Sequence, residues 1–358
     1  MDIKPDFERL KRAVQHNEPD RVPLCEVLIE YPIQSRFLGR EVTPDDLVAQ
    51  VEFWAKAGYD FIPLTVGMMS PGKVTEESAI SRVIRDTMLK DSPEALQDDK
   101  SWNLEYTSFI HTREDLEKFP WELAGKLDFS KLEQVAYVLP EGMKVIAVSG
   151  KIFTLTWMLM GFNHFAISLI LDEQLVADVF RKVAEIQLQA LEKILDMPHV
   201  GAVWVVDDLA FGTGPMISVE AFRDHVFPWY REMASRCHEK GLFFCMHSDG
   251  DLTKLIPDLI DMGLDLLQPI DPTCLDIFEV KRMYGDKLCL VGNVSNELLR
   301  AGTPGEVEAT VKELIARLAP GGGYCVGSGN SVPAWADFDN YMAMRTAALK
   351  YGSYPIKL

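Results

Sequence analysis

Short apolar runs alternate with amphipathic stretches along most of the chain. Runs of strand type are Leu24–Ile29, Tyr59–Leu64, Lys144–Gly150, Ala202–Val206, Leu242–Met246, Leu264–Gln268, Leu288–Val291 and Tyr324–Val326. Near-continuous apolar runs of this length suit strands buried on both faces of a parallel sheet. Helical spacing lies between them: Pro5–His16, a helix closing at Gly58, Asp172–Asp196, Val219–Lys240, Thr253–Met262, Pro304–Leu318 and Asp337–Tyr351. In the 172–196 stretch, Val176, Val179, Phe180, Val183, Ile186, Ala190 and Ile194 share one face. Eight strand-like runs in alternation with helices predict an α/β fold, and a closed (β/α)8 TIM barrel before an open sheet. The whole chain, 1–358, then reads as one barrel domain. No GxGxxG follows the first run, and Gly321-Gly322-Gly323 precedes a strand, so it is read as a turn and not a phosphate loop.

One stretch breaks the pattern. About 70–139 is polar and charged, with alternating pieces at Ile80–Ile84 and Leu104–Ile110. It is too long for a barrel loop. It reads as an inserted hairpin with short helices, covering the mouth of a site or packing against a second copy in a homodimer.

The candidate chemistry sits where strands end. The run Leu242–Met246 stops at His247-Ser248-Asp249-Gly250. A strand alternates its faces, so His247 and Asp249 project the same way, as two metal ligands or proton carriers. In a barrel, strand ends from all round the sheet line one mouth. That adds Glu26 and Glu30, Asp207 and Asp208, Gln268 and Asp271, Asn293, and then Cys325, Ser328 and Asn330. Such a funnel of acceptors suits a metal, or a cationic or hydroxylated substrate. Asp207 and Asp208 are adjacent, so one faces the mouth while the other orders the loop that follows. Glu26 in an apolar run needs a partner or a ligand. Glu30 has the competing reading of a solvated loop residue, and Asp251 that of a helix cap. Cys325 competes with an inert core thiol. Trp157, Met158, Met160 and Phe162 are core, or one wall of a substrate pocket.

Composition narrows the partners. Of 358 residues, 47% are hydrophobic, and the formal net charge is −18. So acidic a surface repels phosphate backbones, which argues against nucleic acid. No apolar run reaches the ~18 residues that span a bilayer. Met1-Asp2-Ile3-Lys4-Pro5-Asp6 lacks an apolar signal region, giving the expectation of a cytoplasmic protein. The six cysteines are scattered without a CxxC pair, and Cys237, Cys245, Cys274 and Cys289 are read as structural thiols.

The run from Asp207 to Ser218, with His247-Ser248-Asp249-Gly250, Ile256 to Gly263, Tyr284-Gly285-Asp286 and Leu318 to Tyr324, resembles the uroporphyrinogen decarboxylase superfamily. The resemblance extends from Asp20-Arg21-Val22-Pro23 to Tyr351-Gly352 and implies the same barrel. The superfamily's true decarboxylases carry an arginine-rich segment after strand one, where this chain has Glu26-Val27-Leu28-Ile29-Glu30-Tyr31. Acids there oppose a polyanionic tetrapyrrole. The resemblance is closer to the branch of methyltransferases and demethylases that work with corrinoid proteins. That branch implies zinc, a small methyl donor and a corrinoid-carrying partner. Its His-x-Cys and second Cys correspond here to His247, Asp249 and Ser328. Oxygen ligands make zinc a harder Lewis acid, suited to an ether or amine donor. His247 and Asp249 are then the first zinc ligands, with Glu26 as first choice for the third and Cys325 as second. Asp207 or Asp208, with His247, are the catalytic candidates, and Glu26, Gln268, Asn293, Ser328 and Asn330 the substrate-binding ones. Cofactor-free decarboxylation and a barrel that only binds a ligand are the alternative readings.

Overall fold

The computed structural model describes residues 4–66 and 109–358. Its centre is a parallel sheet of seven strands: β1 (Phe61–Thr65), β2 (Lys144–Val148), β3 (Val200–Val206), β6 (Phe243–His247), β7 (Leu266–Gln268), β8 (Cys289–Val294) and β9 (Tyr324–Ser328). Two further strands, β4 (Ala210–Phe211) and β5 (Gly214–Pro215), form a small antiparallel hairpin after β3. Each sheet strand pairs with the next in sequence, and helices fill the connections, as the alternation of patterns predicts. Seven of the eight expected runs are therefore strands of one curled sheet.

The eighth run behaves differently. Leu24–Ile29 lies along β9 but touches it only through isolated parallel bridges, Leu24 to Val326 and Ile29 to Val332. The reason is local. Cys25 N donates to Val326 O at 2.9 Å and Val326 N to Pro23 O at 2.9 Å, which starts a ladder. The next donor on β9, Ser328 N, goes instead to the Glu26 carboxylate at 2.6 Å, and Ser328 Oγ to its other oxygen at 2.8 Å. A side chain takes a ladder position, and main-chain pairing resumes only at Val332, whose N donates to Leu28 O at 3.0 Å and whose O accepts from Glu30 N at 2.9 Å. The closed eight-stranded barrel expected from the sequence is thus corrected to seven strands and a bridged segment among the described residues.

The curl divides the core in two. Alternate residues of the strands, among them Phe61, Ile146, Trp204, Cys245, Leu266, Val291 and Cys325, pack with Cys25 in an inner cluster. Their sequence neighbours, such as Ile62, Val145, Val203, Phe244, Leu267, Leu290 and Val326, pack outward in a larger cluster with the helices. This is the period-two signature of a sheet buried on both faces. Helix Phe7–Val14 closes the end where the strands begin, sending Phe7, Leu10, Ala13 and Val14 into the inner cluster. Gly201 at the start of β3 is required there, since a Cβ would overlap the Phe7 ring. Arg9 pins the helix, donating to Asp20 at 2.6 and 2.9 Å and pairing with the buried Asp60.

Two helical patterns are shorter than their spacing predicts. The 219–240 stretch splits into Val219–His225 and Phe227–Glu239. Pro228 has no N–H and its ring crowds the carbonyl four residues earlier, so the helix restarts. The 253–262 stretch is helical only over Ile256–Asp261, with Pro257 in its first turn. Of the expected insertion, 70–108, which holds Ile80–Ile84 and most of Leu104–Ile110, lies outside the described residues. The described remainder forms the short helices Arg113–Lys118, Trp121–Ala124 and Ser130–Val135.

Candidate active site

The tip of β3 separates two adjacent acids. Ala202, Trp204 and Val206 face inward, so Asp208 continues that face and Asp207 the other. Asp207 is fully buried and receives Ile152 N at 2.8 Å, Phe153 N at 2.7 Å and Thr154 N at 2.8 Å. Tyr230 Oη donates to it as well. These are the free amides at the start of helix Phe153–Met160, where a carboxylate is stabilised by the helix dipole. Burial pushes the Asp207 carboxyl up, while the Lys151 charge and these donors pull it down. Asp207 thus orders the chain around the mouth, and its oxygens are occupied by the protein itself.

Asp208 joins the pair that ends β6. One ligand atom each from Asp208, His247 and Asp249 lies within 4.8 Å of the others. His247, only 5% exposed, sets Nδ1 2.5 Å from Gln268 Oε1. Its Nε2 faces Asp249 Oδ1 across 3.8 Å. Asp249 Oδ2 accepts from Asn330 Nδ2 at 2.5 Å, and Asp249 N donates to Asp208 Oδ1 at 3.2 Å. Burial, reinforced by Asp208 and Asp271, pushes the Asp249 carboxyl up to about 6 against the pull of His247 and Asn330. Asp249 Oδ1 is buried without a hydrogen-bond partner. An unsatisfied carboxylate oxygen, an imidazole nitrogen and a second carboxylate at one point fit a divalent metal with nitrogen and oxygen ligands. A catalytic zinc site uses three protein ligands and keeps one position open.

Other candidates lie elsewhere. Glu26 is buried and bonded to Ser328, and its charge acts on Tyr59 and Tyr341, which belong to the outer core. Burial pushes its carboxyl up to about 8, against the pull of Ser328. Glu26 and Ser328 therefore clasp the first segment to β9 between sheet and helices, and the acid beside His247 and Asp249 is Asp208 instead of Glu26. Cys325 packs in the inner core with its Sγ 4.0 Å from that of Cys289, and burial holds its thiol well above the usual range. Cys325 is likewise not with His247 and Asp249. Gln268 and Asn330 do sit against the pair, and Asn293 lines a neighbouring cleft of about 450 Å³ with Pro272–Phe278. Sequence reasoning missed Lys151 and Tyr230, both buried and both acting on Asp207. Lys151 left a signal, as the one Lys or Arg between Val145 and Phe180, directly after a strand.

The model of the uroporphyrinogen decarboxylase (URO-D) family matches residues 110–351 of this chain. No curated protein matches it. Among solved structures, a methyltransferase from Methanosarcina mazei superposes with a TM-score of 0.65 over 96% of this chain and 98% of its own, at 14% identity. At that identity the likeness concerns the fold.

Proposed function

The chain belongs to the uroporphyrinogen decarboxylase family, and from that premise we propose that it is an enzyme transferring a methyl group from a small ether or amine donor to a corrinoid carried by a partner protein. Asp208, His247 and Asp249 would hold a zinc ion. The observation that carries this reading is the bare Asp249 Oδ1 facing His247 Nε2, with Asp208 beside both. Zinc bound there supplies Lewis acidity toward the donor's heteroatom. In the reaction the methyl–heteroatom bond breaks, the methyl group passes to reduced cobalt, and the heteroatom leaves with a proton. Asp208 would orient the donor, since it faces the mouth while Asp207 is committed to the helix start; as a zinc ligand it is deprotonated, so the leaving heteroatom takes its proton from solvent. Asp208, Asp249 and Asp271 concentrate negative charge at this site, which favours a neutral or cationic donor over a polyanionic tetrapyrrole. The solved methyltransferase of the same fold adds support.

The test supplies zinc-loaded protein with reduced cobalamin and a panel of methyl ethers and methylamines, following methylcobalamin by absorbance. At least one donor should react, and His247→Ala and Asp249→Ala should not support it. Failure with every donor, in protein that takes up no zinc when supplied, overturns the reading. Conversion of uroporphyrinogen to coproporphyrinogen would replace it with decarboxylation.

A further inference from the structure

The polar groups around the His247–Asp249 gap form a closed circuit, and the chemistry of its members fixes the direction of every hydrogen bond in it. The carbonyl of Asn330 can only accept, so the Gln268 atom against it is the amide nitrogen. The other end of that amide, Oε1, must then be the atom 2.5 Å from His247 Nδ1. An oxygen without hydrogen can only accept, so Nδ1 carries the proton. In the neutral ring, Nε2 is then a bare lone pair. On the other arm, Asn330 Nδ2 donates to Asp249 Oδ2 at 2.5 Å and turns Oδ1 toward the ring. Nε2 and Oδ1 face each other at 3.8 Å, and Oδ1 has no hydrogen-bond partner. Every link holds a hydrogen except this gap, where two acceptors meet. A gap of 3.8 Å is too long for a hydrogen bond. Two bonds of about 2.1 Å to a shared ion span it, since together they reach up to about 4.2 Å.

We propose that Gln268 and Asn330 are positioning residues that hold His247 as the Nδ1–H tautomer and so convert the His247–Asp249 gap into a seat for a divalent cation. The proposal deepens the zinc reading and rests on it for its consequence, while the tautomer itself can be read without metal. Asn330 serves both arms, its carbonyl aiming the imidazole through Gln268 and its side-chain amide aiming the carboxylate. Outer partners of this kind fix ligand orientation in metal sites, and their loss costs 10- to 100-fold in affinity.

The experiment has two arms. Long-range proton–nitrogen NMR on metal-free protein labelled with ¹⁵N-histidine reads the tautomer of His247, assigned by its loss in His247→Ala. The expected result is a protonated Nδ1 and an unprotonated Nε2. Titration with Zn²⁺ and Co²⁺, by calorimetry and by the visible Co²⁺ spectrum, compares the unaltered protein with Gln268→Ala, Asn330→Ala and Gln268→Glu. Both alanine variants should bind on the order of 10- to 100-fold more weakly with an altered Co²⁺ spectrum. Gln268→Glu keeps an acceptor for Nδ1–H but sets a carboxylate oxygen against the Asn330 carbonyl, so it should recover only part of the affinity lost in Gln268→Ala. A protonated Nε2 in the unaltered protein overturns the proposal, as does Gln268→Ala binding metal as tightly as the unaltered protein. The expected tautomer in a protein that binds neither ion leaves Gln268 and Asn330 as positioning residues but overturns the cation seat, and the zinc reading with it. If an alanine variant fails to fold, the tautomer in the unaltered protein still decides.

Discussion

At Asp207 three backbone amides and the Tyr230 hydroxyl converge on one buried carboxylate. Removing it strands all four donors away from water, so Asp207→Ala should lose about 3 kcal/mol or more in urea unfolding. Asp208→Asn, at the mouth, should change stability by no more than about 0.5 kcal/mol while weakening metal binding. Equal losses in the two variants would contradict the division of labour between these neighbours. Alternation along β3 already implied that only one of them faces inward; the sequence could not say which, because that depends on where the extended backbone ends. Glu26 shows the opposite case. An acid in an apolar run was visible, yet its direction was not, because Ser328, which binds it, lies 302 positions away. Its carboxyl ionises near 4.5 when unfolded and is pushed up to about 8 in the fold. The folded state therefore holds the extra proton between these values, and stability contributed by this group falls as pH rises through that window. The slope approaches about 1.4 kcal/mol per pH unit at its steepest. Glu26→Gln should flatten the fall in stability between about pH 4.5 and 8, and an unchanged slope would rule out this assignment.

Among the elements, the helix Phe7–Val14 has a role that its own pattern shows only in part. Phe7, Leu10 and Val14 were recognisable as one apolar face. That this face fills the inner core at the start of the strands depends on Gly201 leaving room for Phe7 and on Arg9 reaching Asp60. Neither requirement can be read from periodicity. Leu10 is 1% exposed, so Leu10→Ala should cost about 2–5 kcal/mol in chemical unfolding. A cost below about 1 kcal/mol would mean that the helix is an appendage and not part of the core. The helices after β3 and β6 illustrate a second limit. Their apolar spacing continues through Pro228 and Pro257, while the backbone cannot.

For the molecule as a whole, the order of strands was legible because each connection in a parallel sheet needs a crossover, and the chain shows one helical pattern per crossover. The interruption between Leu24–Ile29 and β9 was not, because it is made by a side chain taking a main-chain donor. Likewise His247 and Asp249 were legible as a pair from spacing on one strand, whereas their third partner depended on how far the sheet curls. The sequence favoured Glu26 or Cys325; the structure brings Asp208. Global stability discriminates among these ligand sets without any assay of catalysis. A ligand that binds only the folded state stabilises it by about 2.7 kcal/mol at 100 times its dissociation constant. Zinc at that excess should therefore raise the unfolding midpoint of the unaltered protein. The rise should vanish in His247→Ala and Asp249→Ala and shrink in Asp208→Ala. It should persist in Glu26→Gln and Cys325→Ser, since Glu26 is bonded to Ser328 outside the inner core and Cys325 packs against Cys289. If the rise were instead lost in Glu26→Gln and kept in Asp208→Ala, the metal would be held by the first segment and β9. The acids at the ends of β3 and β6 would then belong to the substrate alone.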